Sequence, residues 1–227
     1  MNNYIHNRIK SRLNRRNGFP SPTGIAGSIL TLGALTLSIF SMAIFSMAFT
    51  RQDRMNTIPT EVRAKSQKAA GTFMATLKGV LVQSMAQGIP AAAATCSDTA
   101  QTLTKTIASA HGVEMRRISL NARNSQNIPT AQEKALLLKL DSVRLAGRLT
   151  DSTVVWEIIE RQGKQYALHI KPIVLNNALC LQCHGKDADI APETRTVLDK
   201  RYPGDKARGY SIGEIRGAVS VMTALVP

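Results

Sequence analysis

The run Cys180–His184 carries the clearest chemistry in the sequence, because it reads Cys-Leu-Gln-Cys-His. A Cys-x-x-Cys-His run is the attachment signature of c-type haem. Two thiols three positions apart on one turn can each form a thioether to one of the two haem vinyl groups. The adjacent imidazole then supplies an axial nitrogen to the iron. The spacing therefore predicts one covalent haem c held by Cys180, Cys183 and His184.

The same run has three other interpretations. A thioredoxin-like dithiol normally lies between a strand and a long helix and would not need His184. A zinc half-site requires a second pair of ligands, and the remaining cysteine and histidines are scattered along the chain. Chance occurrence is the third.

The second axial position has several candidates from chemistry alone. They are His111, His169, Cys96 and the methionines, or the position is open. Cys96 is the cysteine left over once the two motif cysteines are used, and a leftover thiol in an oxidising compartment suggests a role. The ordinary interpretation of Cys96 is a small buried residue on a helix face.

Four ordered blocks resemble one bacterial family of haem-binding domains of formerly unknown function. The blocks, within about residues 60–224, are AAAATCSDTA, RRISLNARNSQNIPTAQEKALLLKL, ALHIKPIVLNNALCLQCHG and RYPGDKARGYSIGEIRGAVSV. The family includes small c-type haem proteins and the extracytoplasmic sensor part of some histidine kinases. The resemblance implies a PAS-like fold, and an axial pair made by the motif histidine and a distant cysteine. In this sequence those ligands are His184 and Cys96.

The sequence departs from the family pattern at two places. The loop 121–125 lacks an expected proline, and we expect this to change only the stiffness of the loop. Sensor-kinase relatives continue into a transmitter region, whereas this sequence stops at Pro227. A sensory role would therefore need a separate partner protein.

Several basic and aromatic side chains in these blocks are candidates for the surroundings of a haem. Cations would neutralise the two propionates, and tyrosines that bracket the glycine-rich loop 202–213 could pack near the haem edge. The cationic candidates are Arg116, Arg117, Lys171, Arg208 and Arg216, and the aromatic ones are Tyr202 and Tyr210. The ordinary alternatives are solvated surface charges and core packing.

The order of the predicted elements indicates an α+β domain. Helical patterns come first, at about 59–87 and 91–112, and Thr130 with Glu133 predicts a capping box for a third helix. Runs rich in β-forming residues predict strands at 113–120, 153–160, 166–175 and 215–224, and a short helix is expected at about 192–200. Gln162-Gly163 between two of the strands favours an antiparallel hairpin. We expect an antiparallel sheet with flanking helices.

The net charge of +14, from 29 Lys+Arg and 15 Asp+Glu, is divided by an apolar segment. Residues 24–49 contain no charge, which is long enough for a transmembrane helix and longer than the apolar part of a cleaved signal peptide, the alternative. Five cations and no acid precede it, so the amino terminus is expected in the cytoplasm. The predicted organisation is a basic tail 1–21, an anchor 22–50 and a periplasmic haem domain 51–227 of a bacterial inner-membrane protein.

These features predict a membrane-anchored monohaem c-type cytochrome. It would act in electron transfer, or as an accessory haem subunit of a membrane complex. The alternative is a redox- or gas-sensing haem domain that binds a small diatomic ligand and signals through a separate protein. The sequence offers no convincing acid or base beside the haem, so an enzymatic role is not expected. The basic tail precedes a membrane anchor, which argues against a nucleic-acid partner.

Overall fold

The computed structural model describes residues 57–225, which lie in one compact unit. The predicted basic tail 1–21 and anchor 22–50 lie outside the described residues. Within 57–225, no helix is both long enough and apolar enough to cross a membrane.

Six α-helices and four strands make up the described part of the chain. The helices are α1 (Thr60–Ala86), α2 (Ile89–Ala94), α3 (Ala100–His111), α4 (Ala131–Leu145), α5 (Ala178–His184) and α6 (Pro192–Arg201). The strands are β1 (Glu114–Ile118), β2 (Val155–Arg161), β3 (Lys164–Val174) and β4 (Ile215–Ala224). The predicted capping box is present: the Thr130 hydroxyl accepts from the Glu133 amide, and the Glu133 carboxylate accepts from the Thr130 amide.

The strands form a single antiparallel sheet in the order β1-β4-β3-β2. The hairpin between β2 and β3 turns at Gln162 and Gly163, whose φ angles are 55° and 70°. Two consecutive positive φ angles match the twist of the flanking strands, so this turn sets their register. The prediction of an α+β domain with an antiparallel sheet and flanking helices is confirmed.

Each face of the sheet is covered by helices. Helix α4 packs on one face, where its buried leucines Leu136, Leu137 and Leu140 meet Leu168 and Ile170 of β3 in one apolar cluster. Helices α1 and α3 pack on the other face, where the second apolar cluster contains Phe73, Ile107, Val219 and Val221.

The helical segment from α2 to α3 is interrupted by a π-helical turn at Thr95–Thr99. The backbone stays in the right-handed helical region through Ala94, Thr95, Thr99 and Ala100. The direction of the chain is therefore continuous, while one extra residue is inserted into the turn. Such insertions are rare and are often found at functional sites.

Gly217 allows β4 to approach β1 closely, and its replacement by alanine is expected to destabilise the domain. A Cβ atom at this position would lie 2.4 Å from the Ile118 carbonyl oxygen, which is backbone and cannot rotate away. We expect the free energy of unfolding to fall by about 2 kcal/mol or more in urea denaturation. Gly71 on α1 has open space around it, so Gly71→Ala should be neutral or stabilising by up to about 1 kcal/mol. Equal stabilities of the two variants would contradict this account.

Candidate functional site

The Cys-x-x-Cys-His run folds as α5, a seven-residue helix directly after β3. The side chain of Asn177 caps it by accepting from the Leu179 amide at 2.9 Å. Residues three apart share a helix face, so Cys180 and Cys183 lie on one side of α5. Both side chains are half-buried free thiols. Two thiols are thus held together at the edge of the domain.

A glycine allows the chain to turn sharply after α5. The Gly185 amide donates to the Leu181 carbonyl at 2.8 Å, and a Cβ atom here would lie 2.7 Å from the same oxygen and 2.6 Å from the Asp189 side chain. No side chain fits without displacing one of these groups. The turn thereby fixes where His184, the last residue of the helix, is placed.

His184 is held so that one ring nitrogen is engaged and the other is free. Its Nδ1 lies 2.8 Å from the Ala207 carbonyl oxygen. Since a carbonyl can only accept, the proton of the neutral ring belongs on Nδ1, and Nε2 keeps its lone pair. Nε2 has no hydrogen-bond partner within residues 57–225. Burial lowers the pKa of His184 well below its ordinary value, which favours the neutral form that binds metals.

The loop 202–214 between α6 and β4 closes over α5. The Tyr210 amide donates to the His184 carbonyl at 2.9 Å, and the Gly209 amide donates to the Gly185 carbonyl at 2.7 Å. The Tyr210 ring meets the imidazole edge-on, with the ring centroids 6.5 Å apart. The loop therefore positions the histidine through its backbone and through one aromatic contact.

A buried ion pair ties the same loop to the second cysteine. Arg123 Nε lies 3.0 Å from Asp205 Oδ1, and the Arg123 Nη2 donates to the Cys183 carbonyl at 2.5 Å. Burial works against ionisation of Asp205, but Arg123, the Ala207 amide and Arg208 more than offset it and lower the pKa of this carboxyl. Asp205 is thus a fixed negative charge that orients Arg123.

Cys96 lies on the π-helical turn and faces the same region. Its side chain is half-buried, and its carbonyl accepts from Arg117 Nη2 at 3.2 Å. Burial raises the pKa of the Cys183 thiol, Arg123 opposes this, and Cys96 and Cys180 add to it as nearby ionisable groups. The fold therefore brings all three cysteines into electrostatic range, although Cys96 is more than 80 residues from the motif.

Helix α6 bridges the two cysteine-bearing segments. Ala93 of α2, Leu198 of α6 and Tyr202 form a small buried cluster against which Cys183 packs. The Tyr202 hydroxyl donates to the Ala93 carbonyl at 3.4 Å. This packing fixes the π-helical turn relative to α5.

The cationic side chains that were predicted to surround the motif have different partners in the structure. Arg208 is paired with Asp199 at 2.5 Å and with Asp205 at 3.0 Å. Arg116 is paired with Glu133, and Lys171 donates to the Asp151 carbonyl. These three cations are already neutralised or bound elsewhere.

Arg117 and Arg216 are different from the other cationic candidates. Within residues 57–225 neither has a carboxylate partner. Burial lowers the pKa of both guanidinium groups. The Arg117 Nε atom is buried without a hydrogen-bond partner. Two cations without carboxylate partners therefore lie beside Cys96 and His184, which suits a group that brings negative charge.

The other two histidine candidates for an axial ligand are placed elsewhere. His169 is buried in the sheet on β3, stacked on Trp156 with ring centroids 4.3 Å apart. His111 is half-buried at the end of α3. No hydrogen bond or ring contact joins either ring to His184.

A cleft of about 690 Å³ lies next to the motif. Its volume is in the range of small-molecule sites. Arg123 and Tyr202 belong to its lining and also contact Cys183, so the cleft and the motif share a wall. Its other lining residues are Asp98, Gln101, Leu120, Ala122, Asn124, Ser125, Gln126, Ile128, Arg201, Pro203, Gly204 and Lys206.

The sequence of this chain matches the Tll0287-like family over residues 39–224, which is most of its length. The chain belongs to the Tll0287-like family. The resemblance drawn from the four sequence blocks is thereby confirmed. A solved structure described as the crystal structure of the cyanobacterial heme-protein Tll0287 is 25% identical in sequence, with a TM-score of 0.45. That alignment covers 56% of this chain and 71% of the other. A comparison with curated proteins found no match.

The geometry of this Tll0287-like domain bears on the dithiol and zinc interpretations. The motif lies on a seven-residue helix and not at the start of a long one, and burial raises the pKa of Cys183, the opposite of an activated thiolate. Within residues 57–225, no three or more His, Cys, Asp and Glu side chains are grouped as a metal-ion site.

Sequence reasoning missed Arg123, Asp205 and Ala207, which support the motif of this Tll0287-like domain. They come from two loops that are distant in sequence, and their contacts are with backbone atoms and with one another. A charged residue in a polar loop carries no sequence signal that would separate it from a solvated one.

Proposed function

We propose that this domain binds one covalent haem c through Cys180, Cys183 and His184. The observation that supports this best is the arrangement on α5: two thiols on one side, then an imidazole whose Nδ1 is engaged and whose Nε2 is free. Membership of the Tll0287-like family and the described heme protein support the same cofactor. We also infer a PAS-like architecture, which the antiparallel sheet with flanking helices supports.

The motif residues would each perform a defined step in holding the haem. Cys180 and Cys183 would hold the haem through two thioether bonds, each formed by adding the S–H group across one vinyl group, with sulfur on one vinyl carbon and the thiol proton on the other. Nε2 of His184 would bind the iron, and the Ala207 carbonyl fixes the ring orientation through Nδ1. When bound, the haem supplies one-electron redox chemistry. We propose Cys96 as the second axial ligand.

We infer electron transfer as the function, either as a membrane-anchored cytochrome or as an accessory haem subunit of a membrane complex. Residues 22–50 would anchor the chain in a bacterial inner membrane, with the haem domain in the periplasm. The remaining charge of +9 on the exported part is suited to an acidic redox partner or to lipid headgroups, and no nucleic-acid partner is proposed.

A specific observation favours a second function, redox or gas sensing. Cys96 lies on a π-helical turn, a conformation that is often found at functional sites. A rearrangement of that turn on reduction would release Cys96 and leave a coordination position for a diatomic ligand. Binding of carbon monoxide to the ferrous protein would support sensing, whereas a closed six-coordinate iron would support electron transfer.

The experiment that tests the haem proposal compares wild type with a Cys180→Ala/Cys183→Ala variant. Both are expressed with a c-type haem maturation system, and covalent haem is measured by the pyridine haemochrome spectrum after denaturation and extraction. We expect about one haem per wild-type chain and none retained by the double variant, because both thioether bonds are lost. Cys96→Ser is the matched cysteine control and should retain covalent haem. Wild-type protein that lacked covalent haem would exclude the proposal.

A further inference from the structure

The guanidinium of Arg216, a residue of β4, lies against the Nδ1 atom of the His184 ring. Its Nε lies 3.1 Å from His184 Nδ1. Its Nη1 donates to the Ser119 hydroxyl at 2.7 Å and to the Asn121 carbonyl at 3.2 Å. Ser119, which is 4% exposed, in turn donates to the Arg216 carbonyl at 2.8 Å. The guanidinium is therefore fixed in place by groups outside the Cys-x-x-Cys-His motif.

The positive charge of Arg216 is not cancelled by a carboxylate. Within residues 57–225 no Asp or Glu forms an ion pair with it. The carboxylate of the neighbouring loop, Asp205, is occupied by Arg123 and Arg208. Burial, the largest effect, lowers the pKa of the Arg216 guanidinium, and Arg123 adds to this, whereas Tyr210, whose ring centroid lies 5.6 Å away, and the Asp205 carboxylate raise it. Few solvent molecules screen a half-buried charge, so its field acts on His184.

The contact of Arg216 with His184 is one of charge and not a shared hydrogen bond. When the Nδ1 proton is donated to the Ala207 carbonyl, the same nitrogen has no lone pair to accept from Arg216. The protonation state of His184 that leaves Nε2 free to bind a metal therefore also places the charged Arg216 guanidinium beside the ring, with no hydrogen bond between the two groups.

We propose that Arg216 is a positioning residue that holds a fixed positive charge beside His184 and thereby raises the reduction potential of the bound haem. This inference rests on the proposed haem function. A positive charge near the ligand stabilises the state with one more electron, which is the ferrous state. Arg216 would oppose the effect of an anionic thiolate ligand, which stabilises the ferric state.

The test is potentiometric titration of the full-length haem-loaded protein and three variants. Arg216→Gln removes the charge and is expected to lower the midpoint potential by a tenfold change in the ferric–ferrous equilibrium, about 59 mV. Arg216→Lys keeps the charge. Its midpoint potential should exceed that of Arg216→Gln by at least half of the amount by which the wild-type potential does. Lys139→Gln removes an exposed charge from α4, on the other face of the sheet, and should leave the potential unchanged.

The outcomes separate this proposal from the proposed function. A wild-type potential in Arg216→Gln, with covalent haem in place, would overturn the role of Arg216 and leave the haem function standing. A potential as low in Arg216→Lys as in Arg216→Gln would show that the charge is not what matters, and would overturn it equally. If Arg216→Gln does not retain haem, Ser119→Ala, which removes one of the two hydrogen bonds of Nη1 and loosens the guanidinium, should lower the potential by a smaller amount, and an unchanged potential would overturn the proposal. Absence of covalent haem from wild type would overturn both.

Discussion

Replacement of Cys96 by alanine is expected to remove the thiolate features from the ferric absorption and electron paramagnetic resonance spectra, and to raise the reduction potential by on the order of 100 mV. An anionic sulfur stabilises ferric iron more than ferrous iron, so its loss favours reduction. Covalent haem should be retained, because Cys180 and Cys183 are untouched. The effect is expected to be large because the substitution would remove the proposed direct ligand of the iron, whereas Arg216 would act through His184.

Two further variants separate ligation by Cys96 from a packing effect of the π-helical turn. Thr99→Ala lies at an exposed position of the same turn and should leave the spectra unchanged. Cys96→Met offers a neutral sulfur and should restore a six-coordinate spectrum at a higher potential than wild type. Identical ferric spectra for wild type and Cys96→Ala would exclude Cys96 as a ligand.

The parts of the fold that the sequence predicts are those whose signals are local. The run of β-forming residues at Ile215–Ala224 coincides with the bounds of β4, and the Thr130 capping box marked the start of α4. The Gln162-Gly163 turn joins strands that are adjacent in sequence, so their pairing needed no long-range information. The pairing of β1 with β4 spans about a hundred residues and follows from no pattern within either strand.

Without the family resemblance, residue types and spacing predicted the candidate site only where its chemistry is carried by consecutive residues. The motif is recognised from five consecutive residues. The group that accepts from its histidine is the backbone carbonyl of Ala207, and because every residue has a carbonyl, no residue type marks this acceptor in the sequence. The π-helical turn at Cys96 is an insertion of a single residue into a helical pattern, which residue spacing does not mark. Charge alone also failed to separate Arg208, which is paired with two carboxylates, from Arg216, which has none among the described residues.

Acidification is expected to destabilise the domain through His169, by about 3 kcal/mol between pH 6.5 and pH 4. His169 is 1% exposed, and burial together with the nearby Lys171 lowers its pKa to about 4. Neither ring nitrogen has a hydrogen-bond partner within the described residues. Because the unfolded chain binds the proton with a pKa near 6.5, stability is fully present above that pH and is lost as the pH falls towards 4.

The packing around His169 explains why no neighbour compensates for its protonation. The imidazole stacks on Trp156, and the guanidinium of Arg63 on α1 lies 5.1 Å from the centroid of the Trp156 ring. Both charged groups named here, Arg63 and Lys171, are cations, so a protonated His169 would meet like charge and no acceptor. Ser66 of α1 and Thr223 of β4, a buried polar pair, are already joined by their own 2.7 Å hydrogen bond.

The measurement is urea denaturation of wild type and His169→Phe at pH 7, 5.5 and 4.5. Phenylalanine keeps the stacking on Trp156 and cannot titrate, so the difference in unfolding free energy between the two proteins should move in favour of the variant as the pH falls. Taking this difference removes the contribution of other groups, including His184, that titrate equally in both. His111→Gln is the matched control and should follow wild type. A constant difference across the three pH values would mean that His169 does not gain its proton on unfolding, and that the buried imidazole is already protonated or already bonded in the native protein.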